Sequence, residues 1–294
     1  MEEIRLACID DPVARAQAGR ARALLEAGRI KPALRLVADA AGNGDPGQKL
    51  LGDLAAGAVD LAALPAERLP VELPSGVRVA AVLRDGIAPY HRVSRERLAL
   101  ARLAGGTAVA ACDPLARAQL RHRYPRLDVQ PVRPGPELVE GVRRGLWAAA
   151  CAPRALVEAC LLGGLVCEAI PAEVVMPPVG QGLLSILVRS GAPSDLDQVA
   201  RLNERRVEIP WLAERSFMRE LGSDPGRVCT ASGAWSGGEI ELSGLIAGAE
   251  GRWLVLDTAS APARYAEILG TEVALACRGL AREALAGVSM GRAA

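Results

Sequence analysis

Short apolar segments alternate with helical segments along most of this 294-residue chain, and this alternation constrains the fold more than any other feature. The apolar segment Glu3–Cys8 precedes a helix start at Asp10-Asp11-Pro12, where proline suits the first helical turn. A helix over Val13–Ala27 and a second strand over Ala33–Ala38 follow. This order predicts an α/β sheet with helices packed on its faces.

A second alternating region follows residue 94, and the pattern changes again near residue 229. The second region predicts helices at Arg95–Leu103, Pro114–Tyr124 and Glu137–Arg144, separated by strands at Thr107–Ala111, Leu127–Val132 and Leu146–Ala152. The last region predicts a three-stranded meander at Ser232–Trp235, Glu239–Ala247 and Arg252–Asp257, with a closing helix at Ala261–Leu285. A helical stretch over Asp195–Gly222, broken at Pro210, should join the two regions.

The stretch Met176–Ser190 determines how these regions divide into domains. Pro177-Pro178 ends the preceding segment, and Val179–Gly182 forms a tight turn before the apolar strand Leu183–Val188. A doubly wound domain that receives its last strand after the second domain would use this strand. The predicted domains are therefore 1–84 with 174–194, 85–173, and 195–294.

Composition narrows the functional class. Lys and Arg number 35 against 34 Asp and Glu, so the formal charge of +1 argues against a nucleic-acid or membrane-surface binder. The acidic start Met1-Glu2-Glu3 does not resemble a signal peptide, and no apolar run reaches the length of a membrane span, which predicts a cytoplasmic protein. Seven cysteines without a CxxC pair predict free thiols, with no disulfide framework and no zinc site.

The order and spacing of several motifs resemble the hydroxymethylbilane synthase family, also called porphobilinogen deaminase. The best short match is Met176–Leu184, which contains the family's Pro-x-Val-Gly-Gln-Gly turn. Further matches are Ile4–Ala16 with the Ser-Pro-Leu-Ala helix start, Val59–Ala62 followed by Leu69–Pro74, Leu202-Asn203 followed by Ala213–Arg215, and Gly233–Trp235. The resemblance implies an α/β fold of two periplasmic-binding-protein-like doubly wound domains. A small C-terminal α/β domain, a three-stranded sheet with helices, would carry a cofactor cysteine.

The same resemblance implies a transferase of tetrapyrrole, porphyrin and heme biosynthesis. The family's reaction joins porphobilinogen units head to tail on a covalently held dipyrromethane cofactor. A carboxylate must stabilise the positive charge on the pyrrole nitrogen as ammonia leaves. Cationic side chains must pair with the acetate and propionate groups of the growing chain.

This sequence departs from the family at the positions that carry the chemistry. Arg68 stands at the catalytic aspartate position, with Glu67 beside it, and both should lie exposed in a loop between prolines. Cys229 lies one residue away from the place of the cofactor cysteine, and Arg133 alone could stand for a retained cation. The family's other polar motifs are replaced at Cys8-Ile9, Asn43–Asp45 and Cys112–Ala116.

Several functions remain compatible with these observations. One is a family protein of tetrapyrrole biosynthesis with a degraded catalytic site. The alternative is a non-catalytic binding or regulatory protein whose inter-domain cleft holds an anionic pyrrole or another small molecule, with another tetrapyrrole-pathway enzyme as partner. Different chemistry on the same scaffold has little support, because the two histidines, His91 and His122, should both be surface residues, and no metal cluster or Ser-His-Asp arrangement is seen. A solute-binding protein would need an export signal.

Overall fold

The computed structural model describes residues 4–28, 30, 32–37, 45–85, 90–158, 160, 163–191 and 194–290. The strands are β1 (Ile4–Ile9), β2 (Pro32–Val37), β3 (Leu61–Pro65), β4 (Val77–Arg84), β5 (Tyr90–Ser94), β6 (Ala108–Ala111), β7 (Asp128–Pro131), β8 (Ala149–Pro153), β9 (Val166–Ala169), β10 (Leu183–Arg189), β11 (Arg227–Ser236), β12 (Glu239–Gly248) and β13 (Leu254–Ala261). The α-helices are α1 (Pro12–Ala27), α2 (Pro46–Ala55), α3 (Pro114–Arg123), α4 (Pro136–Arg144), α5 (Arg154–Glu158), α6 (Arg205–Leu221) and α7 (Ala266–Met290). Glu3 and Ala38, the ends of two predicted strands, lie outside the described residues, as does Asn43.

The first sheet has the strand order β2-β1-β3-β10-β4. Its β10 runs antiparallel to both β3 and β4, so the strand predicted at Leu183–Val188 lies in the first sheet, as expected. Helix α1 packs against the face that carries Leu6 and Cys8, while α2 contacts β1 and β3. Together these elements belong to one compact unit of Met1–Gly86 and Gly180–Ile209.

The second sheet has the order β7-β6-β8-β5-β9, and the third has the order β11-β12-β13. Helix α3 covers one face of the second sheet, against Tyr90 and Val109, and α4 and α5 cover the other, against Val93. Both sheets belong to a second compact unit, Ile87–Val179 with Pro210–Ala294. The α/β fold class is confirmed, because the described residues form two five-stranded sheets and one three-stranded sheet. The predicted boundaries of three separate domains stay a prediction.

Two helix predictions were wrong in detail. Only a 3-10 turn at Leu100–Arg102 forms within the helix expected at Arg95–Leu103, because Leu100 is the single residue of that turn that reaches the core. Helix α6 continues through Pro210 instead of breaking there. A proline near the start of a helix removes one hydrogen bond, and the buried Trp211 and Phe217 on the following turns hold the helix to the core.

Two residues of the motifs that resemble the family, neither at a catalytic or cofactor position, stabilise the fold. The Asn203 side chain accepts a hydrogen bond from the Val82 N–H at 2.9 Å and donates to Glu208 at 2.6 Å. Glu214 on α6 accepts from the Gly233 N–H at 2.8 Å and so attaches the helix to β11. Bonds to buried backbone groups are costly to lose, so these positions specify the scaffold.

Candidate functional site

The signature glycine turn positions the residues that follow β3. Gly180 has a φ of +77°, and a Cβ atom placed there would lie 2.8 Å from the carbonyl carbon of Ala66. Only glycine allows this close approach in that conformation. Ala66 is buried, whereas Glu67 and Arg68 are exposed on the same short 3-10 turn, as predicted. The turn therefore fixes the backbone at the position to which the resemblance assigns the family's catalytic aspartate.

Arg68 forms an ion pair with Asp11, the residue immediately before α1. Its Nη1 atom donates to Asp11 Oδ2 at 2.8 Å. Asp11 is also the N-cap of α1, because its Oδ1 accepts from the backbone N–H groups of Val13 and Ala14, each at 3.0 Å. The Asp11 carboxylate thus both caps α1 and pairs with the Arg68 guanidinium. The Asp11–Arg68 pair carries no net charge.

This pairing limits what the position can do chemically. A cationic ligand group would have to compete with Arg68 for Asp11, and an anionic group would have to compete with Asp11 for Arg68. In the family, the resemblance places a carboxylate at position 68 to face a ring cation. Here the guanidinium stands there, so the electrostatic preference at that atom is reversed.

The second unit repeats this arrangement at the start of α3. Asp113 caps the helix by accepting from the Ala116 N–H at 2.8 Å, and its Oδ2 accepts from the Tyr90 hydroxyl at 2.6 Å. Burial and the neighbouring Asp113 raise the pKa of Tyr90 far above its usual range, so the phenol keeps its proton. Burial likewise raises the pKa of the Cys112 thiol to about 12.

The two caps begin nearly identical seven-residue segments, Asp-Pro-Val-Ala-Arg-Ala-Gln at 11–17 and Asp-Pro-Leu-Ala-Arg-Ala-Gln at 113–119. Hydrophobic periodicity and motif order do not reveal this repeat, but it is visible when the two segments are compared directly. The final glutamine also bonds in both units, from Gln17 to Asp85 and from Gln119 to the Met176 backbone. In each unit an aspartate therefore occupies the positive N-terminal end of the helix, Asp11 at α1 and Asp113 at α3. An anionic ligand group could otherwise bind at these helix ends.

Cys229 lies inside β11, opposite Ile246 of β12. Its Sγ atom is 4.0 Å from the Met218 sulfur on α6, so the side chain faces that helix. Burial raises the pKa of the thiol, while Arg227 partly opposes the shift. Arg133 is exposed after β7.

The two histidines differ from each other and, in one case, from expectation. His122 is exposed as predicted, but His91 retains only 8% of its accessible surface. Its Nδ1 atom has no hydrogen-bond partner within the described residues. Burial lowers the pKa of His91, and the nearby Arg154 adds to that shift. Among the described residues, no group of three His, Cys, Asp or Glu side chains could hold a metal ion.

A family comparison shows where this chain belongs. A family model described as "Porphobilinogen deaminase, dipyromethane cofactor binding domain" matches residues 4–196, about two thirds of the chain. The chain belongs to the porphobilinogen deaminase family. The match ends before Cys229.

Relatives in the family support the same assignment. The porphobilinogen deaminase of Paraburkholderia phytofirmans is 31% identical over 227 residues, covering 76% of this chain and 66% of the relative. That of Burkholderia thailandensis is 31% identical over 199 residues, covering 67% and 60%. The chain thus spans about two thirds of these relatives' length or less. Among solved structures, apo YehZ from Escherichia coli is 11% identical with a TM-score of 0.46, covering 68% of this chain and 85% of that one.

The side chains at the candidate positions do not fit a dipyrromethane held on Cys229. An anchoring thiol must ionise to react, and burial raises the pKa of this one. The Cys229 side chain packs against α6, so rings bonded to its sulfur would have to displace that contact. Leu115 and Ala116 stand where the resemblance puts arginines.

No helix among the described residues is long and apolar enough to cross a bilayer.

Proposed function

We propose that this chain acts in tetrapyrrole biosynthesis as a porphobilinogen deaminase family member in which the joining of porphobilinogen units is disabled. The Asp11–Arg68 ion pair supports the proposal, because the resemblance puts the catalytic carboxylate at position 68, where this chain has a paired guanidinium. Losing one well-placed electrostatic group typically lowers the rate about 10²–10³-fold. A poorly placed cofactor thiol at Cys229 would lower it further.

What remains for such a protein is binding. The alternative function is a non-catalytic one, in which the chain holds an anionic pyrrole or contacts another enzyme of the pathway. A cytoplasmic location is part of the proposal. All seven cysteines are free thiols, which is typical of proteins in a reducing compartment.

The deciding experiment measures turnover and the covalent cofactor together. Purified protein, from a host that makes porphobilinogen, is incubated with porphobilinogen beside a bacterial deaminase. Substrate loss and uroporphyrin after oxidation are then followed, and the intact mass is recorded. We expect turnover at least about 10³-fold below the control enzyme and no added dipyrromethane mass.

Two cysteine variants make the result specific. Cys229→Ser removes the candidate anchor, and Cys160→Ser removes a half-buried thiol elsewhere in the same unit. Turnover within about tenfold of the control enzyme, lost in Cys229→Ser and kept in Cys160→Ser, would overturn the proposal. Tight porphobilinogen binding without turnover, measured calorimetrically, would favour the non-catalytic alternative.

A further inference from the structure

A buried arginine lies in the middle of the second sheet. Arg92 on β5 has a side chain that is 8% exposed, and its Nη2 atom donates to Glu168 Oε2 on the neighbouring strand β9. Arg97 approaches the same carboxylate, with Nη1 3.6 Å from Oε1, although its side chain is 82% exposed. A single carboxylate is therefore shared by two guanidinium groups.

The charge of this cluster is unbalanced. Arg92 and Arg97 carry two positive charges against one negative charge on Glu168, so the cluster has a net charge of +1. The Arg92 side chain is also largely removed from solvent. An arginine has five N–H donors, and within the described residues Arg92 makes one side-chain hydrogen bond, the one to Glu168. Buried charges are stable when they are paired and fully hydrogen-bonded. Arg92 thus has donor capacity to spare.

That spare capacity faces a cavity. A pocket of about 350 Å³ is lined by Arg92, Arg97, Glu168, Tyr124, Leu100 and Ile170. Its volume lies within the range of small-molecule sites, which are mostly apolar with a few polar groups that orient the ligand. Here the charged groups are Arg92, Arg97 and Glu168, and most of the other lining residues are apolar.

None of the residues that line the pocket stands at a position to which the resemblance assigns the family's chemistry. Arg92 lies in mid-strand, on the same face of the sheet as Tyr90, and that face is covered by α3. The Asp11–Arg68 pair belongs to the other compact unit. Nothing in the proposed function uses this pocket.

We propose that the pocket binds a small apolar monocarboxylate, whose carboxylate bridges Arg92 and Arg97 while its apolar body packs against Leu100 and Ile170. Planar guanidinium groups match carboxylate geometry and bind it with charge-assisted hydrogen bonds. One excess positive charge is balanced by a monoanion. A dianion such as phosphate would leave an excess negative charge beside Glu168. It also has no apolar part that could pack against Leu100 and Ile170.

The test titrates the full chain with benzoate by isothermal calorimetry, with benzamide as the neutral analogue and inorganic phosphate as the second anion. We expect benzoate to bind and both other compounds to bind at least about tenfold more weakly. Arg97→Gln should weaken benzoate about tenfold. The paired variant Arg92→Gln/Glu168→Gln, which leaves no buried unpaired charge, should weaken it about 100-fold or more.

A matched control and three outcomes make the test decisive. Arg252→Gln removes an exposed arginine from the β12–β13 turn of the same unit and should leave benzoate binding unchanged. Absence of benzoate binding would overturn the proposal. Equal binding of benzoate and benzamide, or of benzoate and phosphate, would overturn the carboxylate class. Unchanged binding in both pocket variants, with unfolding midpoints like that of the native chain, would overturn the assignment to Arg92 and Arg97.

Discussion

Asp11 has two separable functions, and three substitutions should separate them. Its Oδ1 atom caps α1, and its Oδ2 atom pairs with Arg68. Asp11→Asn keeps a capping oxygen but removes the ion pair, whereas Asp11→Ala removes both. The Arg68 side chain is 43% exposed and that of Asp11 is 23% exposed, so the pair should contribute only about 0–1 kcal/mol to the free energy of unfolding. Loss of an N-cap typically costs about 0.5–2 kcal/mol.

These values predict an order of stability. Asp11→Asn and Arg68→Ala should each lose less than about 1 kcal/mol, and Asp11→Ala about 1–3 kcal/mol. Urea unfolding followed by far-UV circular dichroism gives the midpoints, with a check that the slope is unchanged. The double variant Asp11→Asn/Arg68→Ala completes a cycle that isolates the pair. Arg22→Ala, which breaks an exposed i,i+4 pair with Glu26, is the control.

A loss of several kcal/mol in Arg68→Ala would contradict this prediction, because the guanidinium would then be part of the packed structure. The prediction also fails if Asp11→Ala costs no more than Asp11→Asn, since the cap would then contribute nothing. Either result would show that the ion pair is not an exposed feature that can be separated from the helix cap.

Three further predictions concern other residues. Gly180→Ala should lose at least about 2 kcal/mol of stability, because it adds a clash with Ala66 to the unfavourable φ. The control Gly76→Ala, at φ +82° in open space, should lose only about 1 kcal/mol. Equal midpoints of urea unfolding for the two variants would contradict this prediction. Burial lowers the pKa of His91, so as the pH falls below the usual His pKa of 6.5 the unfolded chain should bind a proton that the folded chain does not. The free energy of unfolding should therefore fall between pH 7.5 and 5.5, and His91→Gln should make this pH dependence weaker. Identical pH dependence in the two proteins would refute the burial argument. Cys229 should react with iodoacetamide at pH 8 more slowly than a model cysteine peptide, as peptide mapping by mass spectrometry would show; labelling at the peptide rate would place the thiol in solvent.

The sequence alone predicted features that depend on local pattern and chain order. Leu183–Val188 is apolar and follows a glycine turn, and its place in the first sheet followed from the need for a last strand after the second region. The three-stranded meander was equally visible, because two-residue periodicity and glycine turns are local signals. The order of short motifs was sufficient for the family, although no single motif was.

Only the tertiary structure decided which side chains meet. Asp11 and Arg68 are 57 residues apart, and Arg92 meets Glu168 across 76 residues. Such pairings depend on strand register and on the direction of each side chain, and a composition or spacing argument contains neither. His91 shows the same limit, because it stands beside Arg92 in the sequence, whereas α4 and α5 cover the face of the sheet that it shares with Val93. Local periodicity is set by the chain itself, whereas the partner of a charge is set by packing that brings distant segments together.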